Sequence, residues 1–200
     1  MPGVDITETQ LMLHITTERL VLKPHTQNSL VWLNTTFNNP YEDYFSGDDP
    51  PRERPETLEE TQKLLDRILN RPPDADIIDY AIHKQDGEEL IGCGMIARIN
   101  RYNRRCELGI GLGWNEDNWH KGYASETLQA VIAHCFKELG LNRIGAEIYE
   151  FNTRSIRLFE RNGFRREGVK RGYIYKDGIF KDEYLYSLLQ EDWKSRNKLP

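Results

Sequence analysis

Gly122 opens a long amphipathic stretch and follows Trp119, His120 and Lys121. A glycine lets another group approach the backbone closely. The amides of a helix's first turn have no partner inside the helix. With the positive end of the helix dipole they make an anion site, worth roughly 0.3–1 kcal/mol per charge near the surface. Here that turn is Tyr123, Ala124, Ser125 and Glu126, and Lys121 adds a cation. An ordinary helix start has the same pattern, so the stretch alone is a weak phosphate signal. Asn152-Thr153-Arg154-Ser155 repeats the loop-to-helix form. Asn152 is a good N-cap, and Ser155 puts a hydroxyl on the first turn, where it is either functional or routine polar surface. Arg154, Arg157 and Arg161 read as a solvated charged face more than as phosphate ligands.

Glu107 is the third residue that could do chemistry. In an extended strand, residues 107, 109, 111 and 113 share one face, and the last three are glycines. That face is bare beside a carboxylate and can accept a flat ligand or a peptide-like arm. Leu108, Ile110 and Leu112 on the other face read as core. On pattern alone Glu107 is a solvated edge carboxylate. The Gly109-Ile110-Gly111-Leu112-Gly113 run is no dinucleotide fingerprint, because its glycines alternate along a strand and do not open a helix.

These residues need a frame. Residues 1–16 lack periodicity and read as a loosely packed arm. Glu18 to Lys23 reads as a strand stopped by Pro24. Leu30, Leu33 and Phe37 have helical spacing, and Asn39 to Pro55 reads as a loop. Within it Glu42, Asp43, Asp48 and Asp49, beside Tyr41 and Tyr44, form either a rim that favours cations or, on pattern, a solvated loop. Thr57 caps a helix that runs to Asn70 and stops before Pro72. Strands follow at Ile77 to Lys84, Glu89 to Ile99 and Cys106 to Leu112, with an Asp86-Gly87 turn between the first two. The spacing predicts a helix over Tyr123 to Leu139, stopped by Gly140 and Leu141 in a Schellman pattern. A strand spans Arg143 to Glu150 and a helix Thr153 to Arg161, where Gly163 and Phe164 repeat the stop. Val169 to Tyr175 and Phe180 to Leu189 make a closing hairpin. The class is α/β (mixed α+β), in one domain over 17–193 with an extension, 1–16, and a tail, 194–200.

The chain has 200 residues and a net charge of -5. That balance argues against a nucleic-acid scaffold and favours cationic substrates such as amines. No apolar run reaches the ~18 residues of a membrane span, and the N-terminus does not read as a secretory signal. Cys93, Cys106 and Cys135 are widely spaced in apolar patterns and read as buried free thiols of a reducing cytoplasm.

The motifs together resemble the GNAT N-acetyltransferase superfamily, and within it the RimJ/RimL-type branch. The resemblance covers roughly residues 17–193. Trp119-His120-Lys121-Gly122-Tyr123-Ala124-Ser125-Glu126 is similar to the family's pyrophosphate loop, with Trp119 in its first position. Asn152-x-x-Ser155-x-x-x-Phe159-Glu160-x-x-Gly163-Phe164 is similar to its second coenzyme A motif. Glu107-Leu108-Gly109 is similar to the strand that carries the RimL-type carboxylate. Lys176-Asp177-Gly178, Asp182 and Tyr186-Ser187-Leu188-Leu189 match the branch's closing hairpin.

The resemblance implies a splayed, mixed, mostly antiparallel sheet flanked by helices. Two parallel strands, Cys106–Leu112 and Arg143–Glu150, part at their ends around acetyl-CoA. It implies no metal, and acetyl transfer to a primary amine by direct attack on the thioester. The acceptor is a protein N-terminus or a small-molecule amine. Glu107 is the expected base, amides around Leu112 the oxyanion stabilisers, and Ser155 the partner of the leaving thiolate. Coenzyme contacts are expected from Trp119 to Ser125, Asn152 and Phe159. Many family members have a tyrosine near position 159, so Phe159 gives Ser155 more weight. His120, in the phosphate loop, is expected to be remote from the thioester. Oligomeric state is expected to be monomer or homodimer. A non-catalytic acyl-CoA-binding regulatory module is the alternative; it would keep the coenzyme loop and lack a working base.

Overall fold

A computed structural model describes residues 13–46, 54–86 and 88–197. Positions 1–12 of the expected arm, Asp48 and Asp49 of the acidic rim, Gly87 of the turn and residues 198–200 lie outside the described residues. The strands are β1 (Ile15–Thr16), β2 (Leu20–Lys23), β3 (Ile78–Lys84), β4 (Leu90–Asn100), β5 (Arg105–Gly111), β6 (Arg143–Tyr149), β7 (Arg165–Lys176) and β8 (Ile179–Leu189). The helices are α1 (Leu30–Phe37), α2 (Pro40–Ser46), α3 (Leu58–Leu69), α4 (Tyr123–Lys137), α5 (Thr153–Arg161) and α6 (Gln190–Asn197). The strands form one sheet in the order β1-β2-β3-β4-β5-β6-β8-β7. Every pairing is antiparallel except β5 with β6.

That parallel pair is short. Its register holds only Arg105↔Arg143, Cys106↔Ile144 and Glu107↔Gly145. Beyond that rung β5 stays bonded to β4 as far as Gly111, and β6 to β8 as far as Tyr149. The two strands therefore part, and the sheet opens into a fork.

Residues opposite each other on a rung share a face. One face carries Ile82, Ile96, Cys106, Leu108, Ile144, Ile148 and Leu188, all in the core, where Leu128, Val131, Ile132 and Cys135 of α4 and Phe159 of α5 pack on them. The other carries Cys93 opposite Gly111, Met95 opposite Gly109 and Ala97 opposite Glu107. Cys106 and Cys135 are buried free thiols as expected, whereas Cys93 is half-buried.

Three expectations are corrected. The stretch read as a loop, Asn39 to Pro55, contains α2. The Asn39 side chain accepts from the Tyr41 amide at 2.9 Å, and Pro40 follows it. An Asn cap before a first-turn proline is a helix start, and Glu42 and Asp43 suit the dipole there. Ile15 and Thr16, read as arm, form a short edge strand against β2. Residues 194–197, read as the start of a tail, belong to α6. The Schellman stop is complete after α5, where Gly163 takes φ 98 and the Phe164 amide reaches the Phe159 carbonyl at 3.1 Å. After α4 it is looser: the helix ends at Lys137, and Leu141 bonds back to Cys135.

Candidate active site

Glu107 occupies the last joined rung of the fork, opposite Gly145. A side chain on Gly145 would press on Glu107, whose Cγ lies 3.3 Å from the ideal Cβ position. Glu107 is half-buried and ion-paired with Arg98 at 2.7 Å. Arg98 reaches it from a register shift between Ala97 and Asn100, where its own φ is 51. A bulge of this kind re-aims a side chain. The pair continues into a chain of charges. Arg98 lies 3.5 Å from Glu147, and Lys170 bonds both Glu147 at 2.8 Å and Glu183 at 2.7 Å. Burial lifts the Glu183 carboxyl above its ordinary value, against the pull of Lys170. Three carboxylates against two cations leave one formal negative charge on the face that carries Glu107.

The glycine stripe is bare of its own side chains but not uncovered. Met95 flanks Gly109, with its methyl 3.1 Å from the ideal Cβ position. Gly113 lies beyond the end of β5 at φ 66, under the ring of Trp32. Leu112 follows the last rung with β4 and packs against the core.

The loop expected to hold phosphate meets α4 at Gly122. Gly122 is the N-cap at φ 85. The amides of Tyr123, Ala124 and Ser125 stand in the first turn, where no intrahelical acceptor exists. His120 is exposed at φ 59, and the Lys121 side chain is also exposed. Ser125 accepts a long hydrogen bond, 3.4 Å, from Asn162 at the end of α5.

Arg19 organises this loop. It donates to the Lys121 carbonyl at 2.9 Å and to Glu126 at 2.7 Å, and its guanidinium lies 4.8 Å over the Tyr123 ring. Thr17 adds a bond to Glu126 at 2.6 Å. Burial alone would raise the Glu126 carboxyl, but the bonds from Thr17 and Arg19 hold it below its ordinary value. A carboxylate in this turn would repel phosphate, and Arg19 neutralises it. The partners stand 107 positions apart, so no local pattern reports them.

Trp119 faces α2 and α5. Its indole donates to the Gly113 carbonyl at 3.1 Å, its ring lies 4.7 Å from Tyr41, and Arg154 stacks over it at 4.9 Å. Arg154 also donates to the Tyr41 hydroxyl at 2.6 Å. It is thus a strut between α5, α2 and the loop, where the sequence pattern favoured a solvated face. Asn152 caps α5, accepting from the Ser155 amide at 3.1 Å. Ser155 is half-buried. Phe159, expected to contact the coenzyme, is buried and packs edge-on against Phe164 at 4.8 Å. Its ring belongs to the core. No hydrogen bond or ring contact among the described residues joins Glu107 to Ser155 or to the loop. Among them no group of three His, Cys, Asp or Glu could hold a metal, and no helix is long and apolar enough to cross a membrane.

Residues 19–165 match the Acetyltransferase (GNAT) domain family. The chain belongs to the GNAT acetyltransferases. It is 30% identical over 174 residues to the uncharacterized N-acetyltransferase YoaA of Bacillus subtilis, a match spanning 87% of this chain and 95% of that one. It is 31% identical over 116 residues to the [ribosomal protein uS5]-alanine N-acetyltransferase of Escherichia coli, over 57% and 58% of the two chains. A GNAT acetyltransferase from Bacillus anthracis has the same fold, with a TM-score of 0.73 at 26% identity over 90% of this chain and 99% of that one. So does spermidine N-acetyltransferase from Vibrio cholerae, solved with CoA and spermine. Its TM-score is 0.76 at 20% identity over 88% and 99%. The chain is an N-acetyltransferase of this family.

Proposed function

We propose that this GNAT enzyme transfers the acetyl group of acetyl-CoA to a primary amine by direct attack on the thioester, as in the RimJ/RimL-type branch. The pyrophosphate rests on the amides of Gly122 to Ser125, and the pantetheine arm enters the fork along β5. The amine arrives as an ammonium and must lose a proton before it can attack. Glu107 takes that proton, directly or through a water. The amine nitrogen then bonds to the acetyl carbon, and amides of the splayed β5 strand beside it stabilise the oxyanion. The C–S bond breaks, the nitrogen gives up its second proton, and coenzyme A leaves as a thiolate that accepts a hydrogen bond from Ser155 or takes up that proton through it.

The observation that carries this reading is the end of the β5–β6 register at Glu107↔Gly145. A thioester drawn into the fork stops at that rung, beside that carboxylate. The one net negative charge of Glu107, Glu147 and Glu183 against Arg98 and Lys170 supports a cationic acceptor. The uS5-alanine relative makes a protein N-terminus one arm of the test, and small amines the other. The test is thiol release from acetyl-CoA over a panel of N-terminal peptides and small amines, with mass detection of the N-acetyl product. Coenzyme binding without transfer to any amine would favour the regulatory module instead.

A further inference from the structure

Arg98 stands between two carboxylates of the fork and can hold either. It donates to Glu107 at 2.7 Å and lies 3.5 Å from Glu147, less than an ångström further. Among the described residues it makes no other ion pair, and its side chain is 63% exposed, so the guanidinium has room to swing. Lys170 has the same choice one place along, with Glu147 at 2.8 Å and Glu183 at 2.7 Å. Burial opposes the Lys170 charge, but its bonds to the two carboxylates outweigh burial and raise the ammonium above its ordinary value. Lys170 therefore stays charged whichever partner it leans to. The five groups alternate in sign along one face, from Glu107 through Arg98, Glu147 and Lys170 to Glu183, with a carboxylate at each end.

Such a row has one carboxylate in excess while Glu107 is charged and none once Glu107 is neutral. A cation beside a carboxylate favours its charged form, so a base that keeps its arginine resists the proton it must take. Glu147 removes that conflict. With Glu107 neutral, Arg98 gains more from the whole charge of Glu147 than from an uncharged carboxyl. Lys170 then leans to Glu183, and the row closes as two balanced pairs. We propose that Arg98 and Glu147 are positioning residues of the proton transfer, with Arg98 passing from Glu107 to Glu147 as Glu107 takes a proton from the acceptor ammonium. The N–H bond breaks, its electron pair stays on the nitrogen, and the proton ends on Glu107. Arg98 returns when Glu107 gives that proton to water. This rests on Glu107 being the base, as in the proposed function.

Two measurements test the hand-over. Glu107→Gln replaces the carboxylate by a neutral group of the same shape, so crystal structures of the wild-type chain and this variant show both states without turnover. Arg98 should pair with residue 107 in the wild-type chain and with Glu147 in the variant. Arg98 left on residue 107 in the variant overturns the proposal. The second measurement is a kinetic cycle, with Glu147→Gln made in the wild-type and Arg98→Ala backgrounds and turnover read by thiol release. In the wild-type background it should lower kcat about fivefold, with the amine KM within about threefold. In the Arg98→Ala background the same substitution should change kcat by less than about twofold, because no cation is left to hand over. An equal loss in both backgrounds, or a loss carried by the amine KM, overturns the proposal. So does a Glu147→Gln variant with the wild-type rate. Full activity of Glu107→Gln removes the base from the proposed function, whereas an inactive Glu107→Gln with residues 98 and 147 uncoupled removes the hand-over alone.

Discussion

Glu107 and Gly145 face each other on the final rung that joins β5 to β6. A side chain at 145 would fill the space beside the carboxylate, so the glycine leaves the fork open where the reaction is proposed to occur. Among the described residues, Arg98 alone pairs with Glu107. Glu147 shares Arg98 but lies one step further along the same face of β6, so the two carboxylates can be told apart by substitution.

Glu107→Gln should lower kcat by about a hundredfold or more, with coenzyme affinity unchanged, because no contact links Glu107 to the phosphate loop. Glu147→Gln should lower it by less than about tenfold. Steady-state kinetics with calorimetry of coenzyme binding checks both. Full activity of Glu107→Gln across the pH range would take the base role from it.

Ser155→Ala should slow turnover about tenfold and leave thermal stability nearly unchanged. The cap of α5 is the Asn152 side chain bonded to the Ser155 backbone amide, so the hydroxyl is dispensable for the helix. Removing the cap itself is the contrast: Asn152→Ala should cost about 1 kcal/mol. A Ser155→Ala enzyme with wild-type rate would sink the thiolate proposal.

Arg154→Ala should weaken coenzyme binding several-fold without changing kcat. The guanidinium stacks on Trp119 and bonds Tyr41, so its loss frees the first residue of the loop. Arg154→Lys should rescue little, since an ammonium cannot keep a planar stack and a fork bond together. Tyr41→Phe should fall between, removing one hydrogen bond worth about 1 kcal/mol. Calorimetric titration with coenzyme A ranks the three.

Much of this was legible because it is local. Alternation placed β3 to β6, and the Gly122 and Asn152 patterns placed the starts of α4 and α5 where they are. The α2 signal was equally local, an Asn39-Pro40 start with aromatics three and four apart, but Gly47 and the prolines and aspartates that follow outweighed it. Arg19 with Glu126 and Arg98 with Glu107 were not legible. The first joins residues far apart in sequence, and the second depends on a bulge that turns one side chain. The place of Glu42 near Gly111 depends on where a short helix docks, and no spacing within the chain encodes that.

Glu126→Gln tests the brace of the phosphate loop through pH. The folded Glu126 carboxyl lies below its ordinary value of 4.5. Its contribution to stability is therefore complete above that value and fades as pH falls through the lower folded value. The variant should be less stable than wild type by about 1–3 kcal/mol at pH 7, and the gap should close under acid conditions below pH 4.5. Urea melts at several pH values measure this. A gap independent of pH would assign the loss to packing.

Gly113→Ala and Gly140→Ala separate backbone strain from collision. Both glycines sit in the left-handed region, at φ 66 and φ 61. At Gly140 an added methyl meets nothing within 4 Å, so the cost should be the conformational one, about 1 kcal/mol. At Gly113 the methyl would stand 2.5 Å from Cζ2 of Trp32, and either the indole or the strand end must move. That adds about 1–3 kcal/mol. Gly113 also supplies the carbonyl that receives the Trp119 indole, so a displaced strand end misplaces the first residue of the loop. The Gly113 variant should therefore lose coenzyme affinity as well as thermal stability, and the Gly140 variant stability alone. Equal melting shifts with equal affinities would show that Trp32 yields freely and that its contact does not position the loop.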